Sequence, residues 1–233
     1  MRLYVGTSGY SYKEWKGKFY PDDIAADAML SYYARHFTTV EINSTFYRMP
    51  TEKMLAQWSQ QVPAEFAFVL KTSRKITHIK RLKNVDEELS YLLRTVATLG
   101  AKLGPLLVQL PPNLKSDVAR LAEFLQLVPS GARTALEFRH QSWFDAAVYS
   151  VLREHDVALV TSDAADSSPS LISTADWGYV RLRREEYSDA DLQSWCDRLR
   201  EQPWSRAFVF FKHEAEGAGP ELAERFMRTW QAG

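Results

Sequence analysis

Glu41 and Glu137 are the first residues whose type and setting suggest chemistry. Each lies in an otherwise apolar, β-branched or aromatic run, and each is followed two positions later by a polar residue, Asn43 and Arg139. A charge inside such a run costs desolvation unless it is paired or binds something. Lys71, Gln109 and Arg181 end three further runs in the same manner, and Arg183 follows Arg181 at the same parity. A carboxylate whose pKa is set by burial and cationic neighbours is suited to acid–base work, so Glu41 and Glu137 are the candidate catalytic pair. Lys71, Arg139, Arg181 and Arg183 are suited to holding a phosphate or carboxylate. Lys71 is also a candidate for Schiff-base formation, though nothing beside it in the sequence makes that specific. The bland alternative is an internal ion-pair network, Glu41 with Lys71 and Glu137 with Arg139 or Arg181, that only neutralises itself.

Other residues frame these. Ser8 closes the first run, and His213 or Lys212 follows the last. Aromatic residues crowd the segments behind the runs. Tyr10, Tyr12, Trp15, Phe19 and Tyr20 follow the first, Phe46 and Tyr47 the second, and Trp143 and Phe144 the fifth. They read equally well as surfaces that stack on a sugar or base, with Tyr12, Tyr47 and Trp143 as ligand contacts, or as a hydrophobic lid. Trp177, Trp195, Trp204 and Trp230 read as helix-packing residues. Gly217 and Gly219, in the segment 213–220 ahead of the last helix, are similar to a phosphate-binding turn, or equally to a plain left-handed turn.

Eight short runs carry the polar ends: Leu3–Gly6, Thr38–Ile42, Phe66–Lys71, Leu106–Leu110, Thr134–Phe138, Val157–Thr161, Tyr179–Leu182 and Phe208–Phe211. Near-continuous apolar runs of this length suit parallel strands covered by helices. Helical patterns fill most gaps: Ile24–His36, Thr51–Gln60, Val85–Ala101, Ser116–Val128, Ser142–Glu154, Ser188–Glu201 and Pro220–Trp230. Starting Ser or Thr residues and closing Gly or Pro mark their ends. The segments 72–84 and 164–176 read as loops. The 233 residues divide into eight units of about 29, the repeat of a single-domain (β/α)8 TIM barrel spanning 1–233. The rival, an open doubly wound sheet, lacks a Gly-x-Gly-x-x-Gly after any strand.

A barrel puts its chemistry at the C-terminal strand ends. Alternation with period two then sends Glu41 and Asn43, Glu137 and Arg139, and Arg181 and Arg183 inward. The last strand is ambiguous, because four apolar residues run together.

Composition narrows the partners. Lys plus Arg equals Asp plus Glu at 29 each, so no global field draws the chain to nucleic acid or membrane. A local cluster of Lys71, Arg74, Lys75, Lys80, Arg81 and Lys83 keeps a nucleic-acid partner in view. One cysteine, Cys196, allows no internal disulfide. Met1–Val5 enters a strand without a signal-peptide layout, and no run of 18 apolar residues occurs, so a cytoplasmic protein without a membrane partner is expected. Five histidines without metal-ligand spacing argue against a multinuclear metal centre. No cofactor is expected, a single divalent cation on Glu41 or Glu137 being the one metal arrangement the residues admit. A glycosidase needs two carboxyls roughly 5 to 9 Å apart, which strands two and five leave open.

Several multi-residue blocks resemble the YecE-like family, domain of unknown function seventy-two. They are Gly6-Thr7-Ser8-Gly9-Tyr10-Ser11-Tyr12, Trp15-Lys16-Gly17-Lys18-Phe19-Tyr20-Pro21, and Val40-Glu41-Ile42-Asn43-Ser44-Thr45-Phe46-Tyr47-Arg48 with Pro50. Thr77-His78, Leu107-Val108-Gln109-Leu110-Pro111-Pro112, Glu137-Phe138-Arg139-His140 with Ser142-Trp143, and Tyr179-Val180-Arg181-Leu182 complete them. The resemblance implies a TIM barrel without an established activity. That barrel is similar to endonuclease IV and the sugar isomerases, an analogy of fold alone. Many members resemble Arg-Leu-His-Gly at the seventh strand end, where this chain has Arg181-Leu182-Arg183-Arg184, so that histidine's role is not carried over and the mouth is more cationic. The expectation is a barrel that binds a small anionic ligand and acts on it as a hydrolase-like or acid–base enzyme. The alternatives are a nucleic-acid-binding or nuclease-like barrel and a non-catalytic binding protein.

Overall fold

The computed structural model describes residues 1–163, 169–213 and 217–233. Eight parallel strands form one sheet: β1 (Arg2–Thr7), β2 (Thr39–Ile42), β3 (Ala67–Lys71), β4 (Leu103–Gln109), β5 (Thr134–Glu137), β6 (Ala158–Asp163), β7 (Trp177–Leu182) and β8 (Arg206–Phe211). Their order, β1-β8-β7-β6-β5-β4-β3-β2, is that of a TIM barrel opened along one line between β1 and β2. Among the described residues, eight α-helices lie between or after the strands. They are α1 (Met29–Tyr33), α2 (Ser44–Tyr47), α3 (Glu52–Gln60), α4 (Asp86–Val96), α5 (Val118–Gln126), α6 (Ala146–Glu154), α7 (Asp189–Arg200) and α8 (Ala218–Ala232). No helix among the described residues is long and apolar enough to cross a membrane.

The β1–β2 line has no regular ladder and is sealed by a side chain. The Tyr33 hydroxyl, from α1, accepts the Thr7 N–H at 2.8 Å and donates to the Thr39 carbonyl at 3.1 Å. It thereby satisfies buried backbone groups that would otherwise lack partners. Gly6 makes room for this, since a Cβ there would lie 2.2 Å from the Thr39 carbonyl oxygen and 2.9 Å from the Tyr33 hydroxyl. Above the seal, the chains meet through Gly9 N–H on the Glu41 carbonyl, 2.8 Å, and Ser8 Oγ on the Glu41 carboxylate, 2.6 Å.

Alternation within strands sorts two cores. Tyr4, Val69, Leu107, Trp177, Tyr179, Phe208 and Phe210 fill the barrel with Ala67, Ala135 and Ala158 among them. Large aromatics from β1, β7 and β8 thus fill space left by alanines on β3, β5 and β6, conserving volume across the lumen. Trp177 belongs to this inner layer, against the expectation that it packs helices, because it has the parity of Tyr179 and stands edge-on to Phe208 at 6.0 Å. Phe208 and Phe210 point inward, so Val209 and Phe211 join the outer core. That resolves the ambiguity of the last strand and sends Lys212, not His213, toward the mouth.

Helix ends depart from expectation where an aspartate rather than a serine caps the helix. Asp117 caps α5 by accepting from the Arg120 N–H, so the helix starts after Ser116. Asp145 caps α6, and Ser142 sits in a separate 3-10 turn. The expected helix 24–36 is reduced to a 3-10 turn and the short α1, with Ala25 extended and no side-chain cap ahead of either. Ser188 caps α7 with a reciprocal capping box to Asp191, and Thr51 caps α3, both as expected. Residues 72–84 form the expected loop around one π-helical turn, Lys75–Ile79. Residues 169–176 carry no helix or strand, and 164–168 lie outside the described residues.

Candidate functional site

At the C-terminal mouth one guanidinium joins the two candidate carboxylates. Arg181, on β7, donates through one terminal nitrogen to Glu137 Oε2 at 2.6 Å and through the other to Glu41 Oε1 at 2.8 Å. All three side chains are buried, with exposures of 2%, 3% and 0%. Glu41 also accepts from Ser8 Oγ (2.6 Å), Asn43 Nδ2 (3.2 Å) and the Tyr179 hydroxyl (2.6 Å). Glu137 accepts from Gln109 Nε2 (2.8 Å) and from two nitrogens of Arg139 (3.2 Å each). Gln109 in turn accepts the Lys71 ammonium at 2.9 Å. The chain Lys71–Gln109–Glu137–Arg181–Glu41–Ser8 therefore crosses the barrel.

Electrostatics follow from this wiring. Burial pushes the Glu41 carboxyl up, but Arg181 and the donors Ser8 and Tyr179 outweigh it and hold Glu41 below the usual range. Burial likewise opposes ionisation of Glu137, and Arg181 with Arg139 and Gln109 brings it down to about 2. Both carboxylates are ionised at neutral pH. The expected Glu41–Lys71 pair does not form, since Glu41 bonds Arg181 and Lys71 bonds Gln109.

Above this layer opens a cavity of about 620 Å3, lined by Tyr12, Asn43, Ser44, Phe46, Tyr47, Lys71, His78, Gln109, Arg139, Arg181, Arg183 and Lys212. Neither carboxylate is in its wall. Ser44, Phe46 and Tyr47 come from α2, which follows directly on β2. Phe46 lies against the Lys71 ammonium, 4.3 Å from its ring centre, and edge-on to His78. Tyr47 is 72% exposed at the rim. Burial and the cations Lys71 and Arg139 hold the His78 imidazole below its ordinary pKa.

Among the sequence candidates, Asn43, Lys71, Gln109, Arg139, Arg181, Tyr12 and Tyr47 reach the cavity. Ser8, Glu41 and Glu137 support it from beneath. Two ligand-contact candidates lie elsewhere. Trp143 is fully buried, stacked on Phe138 at 4.6 Å, and donates its indole N–H to the Leu114 carbonyl. His213 meets the Arg184 carbonyl and packs on Tyr187. Both follow the ends of their strands, where alternation no longer governs direction. Most first-loop aromatics are also committed to packing: Trp15 and Tyr20 are buried, and Phe19 packs against Tyr32, Tyr33 and Phe37. In the glycine segment 213–220, residues 214–216 lie outside those described, while Gly217 is the left-handed N-cap of α8 and Gly219 is buried in its first turn. Tyr179, a Glu41 partner, escaped the sequence reading although it shares the parity of Arg181. His78 did so because loop direction is not periodic, whereas Phe46 and Lys212, offered by the sequence only as alternatives, do reach the cavity.

A divalent cation does not fit Glu41 or Glu137. Their oxygens already accept from guanidinium, amide and hydroxyl donors, and no group of three or more His, Cys, Asp or Glu fit to hold a metal occurs among the described residues. A second cavity, about 450 Å3, beside Phe138, Phe144, Tyr149 and Ile172, has no charged side chain among the described residues of its wall.

The family model described as "Protein of unknown function DUF72" matches residues 4–233. This chain belongs to the DUF72 family. The DUF72 protein of Thermotoga maritima has the same fold, with a TM-score of 0.85, 28% identity and 99% and 100% of the two chains covered. A DUF72 protein of Enterococcus faecalis superposes with a TM-score of 0.82 at 19% identity, over 98% of this chain and 95% of that one. Among curated relatives, the UPF0759 protein YunF of Bacillus subtilis is 26% identical over 97% of this chain and 93% of its own length. The UPF0759 protein YecE of Escherichia coli is 27% identical over 143 residues, 61% of this chain, and the match spans half of YecE. The DUF72 barrel of this chain thus has relatives of known fold.

Proposed function

We propose that this DUF72 barrel binds a small phosphate- or carboxylate-bearing ligand at its mouth and acts on it. The supporting observation is the charge balance of the cavity. Lys71, Arg139, Arg181, Arg183 and Lys212 line it, and the two carboxylates beneath are both engaged by Arg181. Lys212 aside, four cations less two carboxylates leave a surplus of two positive charges among the described residues, in a concave, partly desolvated space. Such a surplus is costly unless an anion completes it, and it concentrates anions from solution. Arginines supply forked donors for planar oxyanions. In this reading Glu41 and Glu137 hold Arg181 in place and set the local charge, while ligand contact falls to Lys71, Arg139, Arg183, Asn43 and the Tyr12 and Tyr47 rings.

The nucleic-acid reading draws on Phe46 and Tyr47 beside the cations. It is weakened by Glu88, which pairs with Lys75 and Lys80 at 2.9 and 2.8 Å and so neutralises part of the basic segment. A thermal-shift series separates the two. Inorganic phosphate and phosphorylated sugars are expected to raise Tm, and the shift is expected to shrink when Arg139 and Arg183 are both replaced by Ala. A shift with single-stranded oligonucleotide alone, lost steeply with salt, would favour nucleic acid. No shift with any of them removes the anion site.

A further inference from the structure

Lys71 differs from Arg181 and Arg139, the two arginines of the mouth that pair with carboxylates. Arg181 and Arg139 are each salt-bridged to a carboxylate, whereas Lys71 forms no salt bridge within 4 Å among the described residues and bonds only the neutral Gln109 amide. Glu137 is reached only through that amide. One side of the amine is covered by the Phe46 ring, and its backbone is pinned by Thr45 Oγ1 donating to the Lys71 carbonyl at 2.7 Å. An amine so placed faces a cavity built for anions but is not itself tied to one. Arginine cannot give up its proton under these conditions, and lysine can.

We infer that Lys71 is a nucleophile that forms an imine with a ketone or aldehyde carbon of the anionic ligand. The inference rests on the anion-site reading and adds a substrate class to it, an oxo compound carrying a phosphate or carboxylate. The neutral amine attacks the carbonyl carbon, and a C–N bond forms as the C–O π bond opens. The two amine protons leave with the former carbonyl oxygen as water, giving C=N. No oxidant, reductant or metal is required. Burial first, then Arg181, lowers the Lys71 amine to about 8, against the pull of Glu41 and Glu137. About one molecule in ten then carries the free amine at pH 7, against fewer than one in a thousand for an ordinary lysine. His78, held neutral in the same cavity, is placed to carry protons as the carbinolamine loses water. Arg139 and Arg183 would hold the ligand's charged end.

The test is reductive trapping. The protein is incubated with dihydroxyacetone phosphate or pyruvate, reduced with borohydride, and mapped by peptide mass spectrometry. The expected result is one adduct on Lys71, formed on the order of a hundredfold faster than on exposed lysines such as Lys13 and Lys18 at pH 7. Inorganic phosphate should slow it. Lys71→Arg should melt within a few degrees of the parent and give no adduct. Labelling spread evenly over surface lysines, or an unchanged adduct yield in Lys71→Arg, overturns the inference. If phosphate raises Tm but no Lys71 adduct forms, the imine falls and the anion site stands; if neither occurs, both fall.

Discussion

The floor and the rim of the mouth carry charge in opposite ways. In the floor, Glu41, Arg181 and Glu137 are almost wholly buried and answer one another through bonds of 2.6 and 2.8 Å. In the rim, Arg139 keeps a third of its side chain exposed, Tyr47 is largely open, and positive charge exceeds negative. A buried network whose members satisfy one another makes stability depend on each of them. A partly solvated, unbalanced rim adds less to stability, because water screens its charges. The mouth therefore stacks a partly solvated, unbalanced rim above a structural ion-pair network.

The largest expected effect comes from removing the centre of the floor. Arg181→Met leaves two buried carboxylates without their cation, and urea unfolding is expected to show a loss of about 5 kcal/mol, or no folded protein. A loss below about 1 kcal/mol would mean that water reaches the floor and the contrast is false. Glu137→Gln should cost about 3 kcal/mol, since it removes one carboxylate and keeps the shape. It should also flatten the acid limb of the stability curve. The Glu137 carboxyl is lowered to about 2 from its ordinary 4.5, so its contribution is full above about 4.5 and is lost as pH falls through about 2. At the rim, Arg139→Ala with Arg183→Ala should change stability by about 1 kcal/mol at most, while weakening phosphate binding by about tenfold or more. A rim variant that unfolds the protein, or a floor variant that alters binding alone, would reverse the assignment.

Much of this was legible in sequence, for a definite reason. Glu41, Asn43, Glu137, Arg139, Arg181 and Arg183 stand on the inner side because strand geometry has a period of two and the flanking Val40, Ile42, Leu136, Phe138, Val180 and Leu182 fix the parity. What sequence could not supply was pairing. Glu41 on β2 and Glu137 on β5 look remote along the chain, and only barrel closure lets one arginine reach both. Direction was also lost wherever a strand ended. Trp143 and His213 turn into packed positions, while Phe46 and His78 turn toward the cavity, and no periodicity marks the difference. Trp177 shares its parity with Tyr179, but the apolar run that marks the strand begins only at Tyr179, two residues after the strand itself.

The β1–β2 line gives the barrel one hoop joint that is not a hydrogen-bonded ladder. It is held by the Tyr33 hydroxyl below and by Ser8 and Gly9 on Glu41 above. Glu41 is also bound to Arg181, which faces the cavity. Breathing of the cylinder wall at this joint and the state of the mouth are thus mechanically linked through a single side chain. An anion that draws Arg181 forward would loosen the latch, and one that braces Arg181 against Glu41 would tighten it. Amide hydrogen exchange at Thr7 and Gly9 would record which of the two occurs, well away from the ligand itself.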